Sequence, residues 1–123
     1  MKRIIIAGSR EFDNYETLKE RVMAYIDWAK LNLKDIEIVS GTARGADQLG
    51  ESFAKEFDIA LKRFPANWDL YGKSAGFKRN FEMCKYALPD GVLLAFYNGI
   101  SKGTKHMINI AKEEGLETYV IKV

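Results

Sequence analysis

Cysteine and histidine occur once each in the 123 residues, as Cys84 and His106, and proline occurs twice. A single cysteine excludes an intramolecular disulfide and any Cys-based zinc site. One histidine without clustered carboxylates argues against a transition-metal site, so no metal is expected. Long apolar runs are also missing. Within the start MKRIIIAGSREF only Ile4 to Ala7 is continuously apolar, short of the roughly 7–15 residues of a signal peptide, and no stretch approaches the roughly 18 of a membrane span. A soluble, cytoplasmic protein in a reducing compartment, with no membrane partner, is the expectation. Charge of one sign is scarce as well: 19 Lys and Arg against 17 Asp and Glu give +2. That excludes a nucleic-acid coat and makes DNA or RNA an unexpected partner. Apolar residues at 47% and charged residues at 29% describe one globular domain over residues 1–123, large enough to bury a core.

Four runs have strand character: Arg3–Ala7, Ile36–Val39, Gly91–Phe96 and Thr118–Ile121, with a weaker fifth at Ile59–Arg63. Helical periodicity covers Tyr15–Lys30, about 43–57, Ala75–Leu88 and about 104–114. In the third helix the apolar repeat is Phe77, Phe81, Cys84 and Leu88, and Pro89 stops it. Alternating strands and helices predict an α/β fold: a Rossmann-like, mainly parallel five-stranded sheet with helices on both faces. Ile4-Ile5-Ile6 and Val92–Ala95 are apolar throughout, as central strands are, whereas Leu61-Lys62-Arg63 suits an edge. The expected strand order is 3-2-1-4-5.

In such sheets ligands bind beyond the carboxyl ends of the strands, where the order reverses. The loops there are Gly8-Ser9-Arg10, Ser40 to Asp47 (S-G-T-A-R-G-A-D) and Asn98 to Thr104 (N-G-I-S-K-G-T). Each combines glycine, a hydroxyl and a base, the elements of a phosphate or other anion site. A plain turn and helix cap would account for glycine and Ser or Thr in each loop. It does not account for Arg44 and Gly45. Placed in the first helical turn, Gly45 costs ~1 kcal/mol against Ala, so either the first strand's loop or a ligand approaches it closely. G-x-G-x-x-G after the first strand and the full Walker loop G-x-x-x-x-G-K-[ST] are both missing, which excludes the usual dehydrogenase and P-loop sites.

The stretch P-A-N-W-D-L-Y-G-K-S-A-G-F-K-R-N, Pro65 to Asn80, places Trp68 and Tyr71 in a loop. Trp68 either stacks on a base or folds back as a hydrophobic plug. Arg79 can hold a phosphate or carboxylate bidentately and Asn80 can bond a ribose hydroxyl, unless both lie on a solvated face. Gly76 beside them points to a helix start pressed against something. His106 is expected to face solvent, and Cys84 to be a buried structural thiol. Ser9 and Ser40 lack a His–Asp relay, so no serine nucleophile and no catalytic residue is assigned.

The strings I-A-G-S-R-x-F, S-G-T-A-R-G-A-D, P-A-x-W-x-x-Y-G-K-x-A-G-x-x-R-N and S-x-G-T occur in this order from Ile6 to Thr104. Together they resemble the YspA-type (YpsA-related) branch of the SLOG superfamily, which includes the LOG phosphoribohydrolases and the DNA-processing protein DprA. The resemblance implies a Rossmann-like domain binding a nucleotide-derived ligand through Gly8, Ser9, Arg10, Ser40, Gly41, Thr42, Arg44, Gly45, Asp47, Trp68, Arg79, Asn80, Ser101, Gly103 and Thr104. LOG enzymes use an arginine and the glutamate of P-G-G-x-G-T-x-x-E. Arg79 is the candidate counterpart of the arginine, but Met107 stands where the glutamate belongs. A binding or sensor protein for an ADP-ribose- or NAD-like molecule, homodimeric and without a cofactor, is therefore expected. The alternatives are N-glycosidic hydrolysis with Asp47 or Glu11 as substitute acid, and DprA-like binding of single-stranded DNA.

Overall fold

The computed structural model describes residues 1–123. Its strands are β1 (Lys2–Gly8), β2 (Ile36–Ser40), β3 (Ala60–Arg63), β4 (Val92–Tyr97) and β5 (Glu117–Lys122). They form one sheet in the order β3-β2-β1-β4-β5, with every neighbouring pair parallel. The order follows from composition. β1 and β4 bury both faces and occupy the middle, while the charged β3 lies at one edge.

Helices α1 (Tyr15–Trp28) and α2 (Ala46–Glu56) cover one face, α4 (Ala75–Ala87) and α5 (Lys102–Glu113) the other, and α3 is the single turn Trp68–Tyr71. Strand alternation divides the core between them. Ile4 and Ile6 pack with Leu18, Val22, Ile26 and Phe53, whereas Ile5 and Ala7 pack with Met83, Cys84, Met107 and Ala111. Each fully buried aliphatic side chain contributes about 1.5–3 kcal/mol of transfer free energy.

Several boundaries differ from the sequence reading. The second helix begins at Ala46 rather than near 43, because Thr42 (φ 65°) and Gly45 (φ 83°) adopt positive φ, which a right-handed helix excludes. The first helix stops at Trp28, and Lys30 turns left-handed. Trp68 and Tyr71 belong to a helical turn, not a loop; Asn67 caps it by accepting the Leu70 N–H. The stripe of α4 is corrected too. Phe77 and Phe81 remain 47% and 44% exposed, and the helix buries Asn80, Met83, Cys84 and Ala87 instead. Hydrogen bonds draw Asn80 inward, which turns the two phenylalanines onto the rim. No helix is long and apolar enough to cross a membrane.

Candidate functional site

The loops after β1, β2 and β4 meet at the carboxyl edge of the sheet, and one contact fixes how the first two sit. Gly45 precedes α2, and a Cβ there would lie 2.3 Å from the Ser9 carbonyl oxygen and 2.6 Å from Arg10 Cα. The neighbour that requires glycine is thus the first strand's loop. That packing brings the Ala46 N–H to the Ser9 carbonyl at 3.3 Å, while Ser9 Oγ accepts the Asn98 N–H at 3.1 Å. Ser9 therefore ties all three loops together.

In the second loop Ser40 is buried; its hydroxyl donates to Glu51 Oε2 at 2.7 Å and accepts the Thr42 N–H at 3.0 Å. This holds Thr42 at its positive φ, an uncommon conformation for a β-branched residue. Arg44 is exposed on the rim and pairs with Glu11 at 3.2 Å. Asp47, 5% exposed, accepts the Ala43 N–H at 3.2 Å. Burial pushes its carboxyl up to about 7, and Glu51 adds to the rise; Arg79, the Ala43 N–H and Arg10 oppose it.

The third loop leads into α5. Ser101 caps that helix, its hydroxyl accepting the Thr104 N–H at 3.3 Å and meeting Thr104 Oγ1 at 2.8 Å. The Lys102 and Gly103 N–H groups have no protein acceptor, and such a helix start favours anions. From α4, the Arg79 guanidinium donates to the Gly41 carbonyl and to Asn80 Oδ1 (3.0 Å). Asn80 in turn donates to the Gly103 carbonyl at 3.2 Å and contacts His106 Nδ1 at 3.1 Å. His106 does not simply face solvent. It stacks on Phe77 with ring centroids 4.1 Å apart, meets Phe81 edge-on, and desolvation lowers its pKa.

These groups enclose two chambers that share Arg10, Ala43 and Arg79. The smaller, about 340 Å³, is bounded by Asp47, Asn80 and residues 101–104, with Met83 and Met107 among its lining. The larger, about 480 Å³, is bounded by Gly41, Thr42, Arg44, Pro65 and Trp68. Trp68 is 51% exposed, and its ring would be in ordinary van der Waals contact, 3.4 Å, with a Cβ on Gly76, so the space there does not demand glycine.

Of the fifteen candidates, Gly8, Arg10, Asp47, Arg79, Asn80, Ser101, Gly103 and Thr104 line the smaller chamber. Gly41, Thr42, Arg44 and Trp68 line the larger, again with Arg10 and Arg79. Ser9, Ser40 and Gly45 line neither; they brace the loops. Sequence reasoning missed Lys102 as a lining residue, although its place at a helix start after an Asn-Gly turn was the available signal. No three His, Cys, Asp or Glu side chains cluster as metal ligands would.

A parallel sheet carrying an arginine-lined double chamber at its carboxyl edge, against a free helix start, is a Rossmann-like architecture. A family model described as the YspA, cpYpsA-related SLOG family matches residues 2–71. The Gene 61 protein of Mycobacterium phage D29 is 32% identical over 121 residues, covering 94% of this chain and 93% of that protein. The chain belongs to the YspA, cpYpsA-related SLOG family. Membership supports a nucleotide-related binding or sensing role in general and specifies no ligand. No solved structure matches the chain.

Proposed function

We propose that the chain binds a nucleotide-derived anion of the ADP-ribose or NAD kind, acting as a sensor or binding protein. One observation carries the reading: the two chambers are joined through Arg10 and Arg79, with free N–H groups at one end and an indole at the other. Phosphates meet the Lys102 and Gly103 N–H groups and the two guanidiniums; the base lies against Trp68. Volumes of about 340 and 480 Å³ fall in the range of small-molecule sites. The test is calorimetry and thermal shift with ADP-ribose, NAD and AMP. Saturating ligand raises the Tm, by ~2.7 kcal/mol of added stability at a hundredfold excess over Kd. Arg44→Ala abolishes measurable binding, and Trp68→Ala weakens it by ~1–3 kcal/mol if a base stacks there. A flat Tm across the whole panel refutes the reading.

A second reading, hydrolysis of an N-glycosidic bond, is favoured by Asp47. It is the one carboxyl lining the smaller chamber, where Met107 replaces the LOG-type glutamate. Release of free base from nucleoside monophosphates, lost in Asp47→Asn, supports it; no release above the buffer blank eliminates it. A homodimer is also part of the proposal. Trp28, 71% exposed, adjoins Tyr25 and Tyr119 on the α1–β5 side and offers an apolar contact surface. Sedimentation of a monomer at micromolar concentration refutes that element.

A further inference from the structure

Asp47 is the buried ionisable group that the binding reading leaves without a task. It lines the smaller chamber beside Arg10, Arg79, Lys102 and the free N–H groups of α5, yet it forms no ion pair with any of these cations. The carboxyl's single hydrogen bond runs from the Ala43 N–H to Oδ2, and Oδ1 has no partner in the protein. Arg79 favours the ionised carboxyl from nearby but does not pair with it, because that guanidinium donates to the Gly41 carbonyl and Asn80 Oδ1. Gly41 lies between the two: a Cβ there would be 2.8 Å from both Arg79 Nη1 and Asp47 Oδ2.

An anion seated at the start of α5 would share this chamber with the carboxyl. If Asp47 were ionised, two negative charges would face each other across one small chamber, the arrangement in which one of them takes up a proton. If Asp47 is neutral, its O–H donates to an anion oxygen. The charged groups around it are Arg10 from the loop after β1, Glu51 one turn along α2, Arg79 from α4 and Lys102 from α5. His106 lies behind Asn80, and its lowered pKa keeps its titration away from the neutral-to-alkaline range.

Resting on the functional reading above, we propose that an anionic ligand enters the smaller chamber only with the Asp47 carboxyl in its neutral form, so that binding takes up one proton at this residue. The residue then discriminates between ligands, since a neutral polyol would be held by the carboxylate and would need no proton.

The experiment is calorimetry on the full chain with two probes, ADP-ribose and sulfate, neither of which titrates between about pH 6 and about pH 8. Each titration is run at about pH 6 and at about pH 8, at each pH in two buffers of different ionisation enthalpy. Above about pH 7 the wild type takes up close to one proton per ligand, and its affinity falls toward tenfold per pH unit. Asp47→Asn binds with the same affinity at both pH values and takes up no proton. Binding by the wild type without proton uptake overturns this inference and leaves the functional reading intact. A pH dependence retained in Asp47→Asn also overturns it. No heat with either probe at either pH overturns both. The wild-type buffer comparison needs no variant, so a folding defect in Asp47→Asn, read from its melting curve, leaves the test decisive.

Discussion

Asp47→Asn makes a stability prediction that needs no ligand. In the folded chain the carboxyl's pKa rises from 3.8 to about 7, burial being the largest cause. A folded pKa above the unfolded one means the group's contribution is fully present below about 4 and is lost as pH rises through about 7. At ~1.4 kcal/mol per pH unit, that interval corresponds to about 4 kcal/mol of stability lost by the wild type. Asparagine keeps an acceptor for the Ala43 N–H, has the same shape and carries no charge. The stability of Asp47→Asn minus that of the wild type therefore grows with pH, by about 4 kcal/mol between about pH 4 and about pH 8. Urea denaturation at four pH values measures the difference, and other titrating groups cancel in the subtraction. A difference flat to within ~1 kcal/mol across the range would show that water or a cation relieves the buried charge, and the reasoning about the smaller chamber would fail.

Gly45→Ala forces a Cβ to within 2.3 Å of the Ser9 carbonyl oxygen at a φ of 83°; a loss of ~3 kcal/mol, on the order of 10 °C in Tm, is expected by thermal denaturation. Gly103→Ala should behave oppositely. A Cβ there meets nothing within 4 Å and helix propensity improves by up to ~1 kcal/mol, so stability holds or rises while anion binding, read by calorimetry, weakens because the methyl enters the chamber. The His106 pKa lies below 6.5, chiefly from desolvation, so its contribution is present above 6.5 and is lost as pH falls through the folded value. NMR titration should show Phe77→Ala raising that pKa; an unchanged value refutes the stacking account.

The strand order was readable because its cause is compositional. Strands buried on both faces must be apolar throughout, as Ile4–Ile6 and Val92–Ala95 are, and an edge tolerates Lys62 and Arg63. The phase of α4 was not readable. The spacing of Phe77, Phe81, Cys84 and Leu88 and that of Asn80, Met83, Cys84 and Ala87 are both helical, and the two stripes differ only by a small rotation. The choice between them lies in contacts distant in sequence, where Asn80 reaches Gly103 and His106. The same contacts removed His106 from open solvent. The turn α3 escaped notice because four residues are too few to display a period, although the Asn67 cap was present in the sequence.

The candidate site shows a second kind of illegibility. Anion loops and loop scaffolding need the same residue types, because hydroxyls and amides satisfy backbone groups as readily as they satisfy ligands. The structure separates them by which hydrogen bonds are already made. Ser9, Ser40, Ser101 and Asn80 are engaged within the protein, and Gly45 is pressed against the neighbouring loop. Arg10, Lys102, the Gly103 N–H and one oxygen of Asp47 are not engaged. The braced group holds the loops at fixed separations, so on the proposed binding of an anion the free group would not reorganise, and the ordering cost would be met in folding rather than in binding. Substituting a bracing residue such as Ser40 should consequently lower stability and affinity together, whereas substituting Arg10 or Gly103 should lower affinity alone.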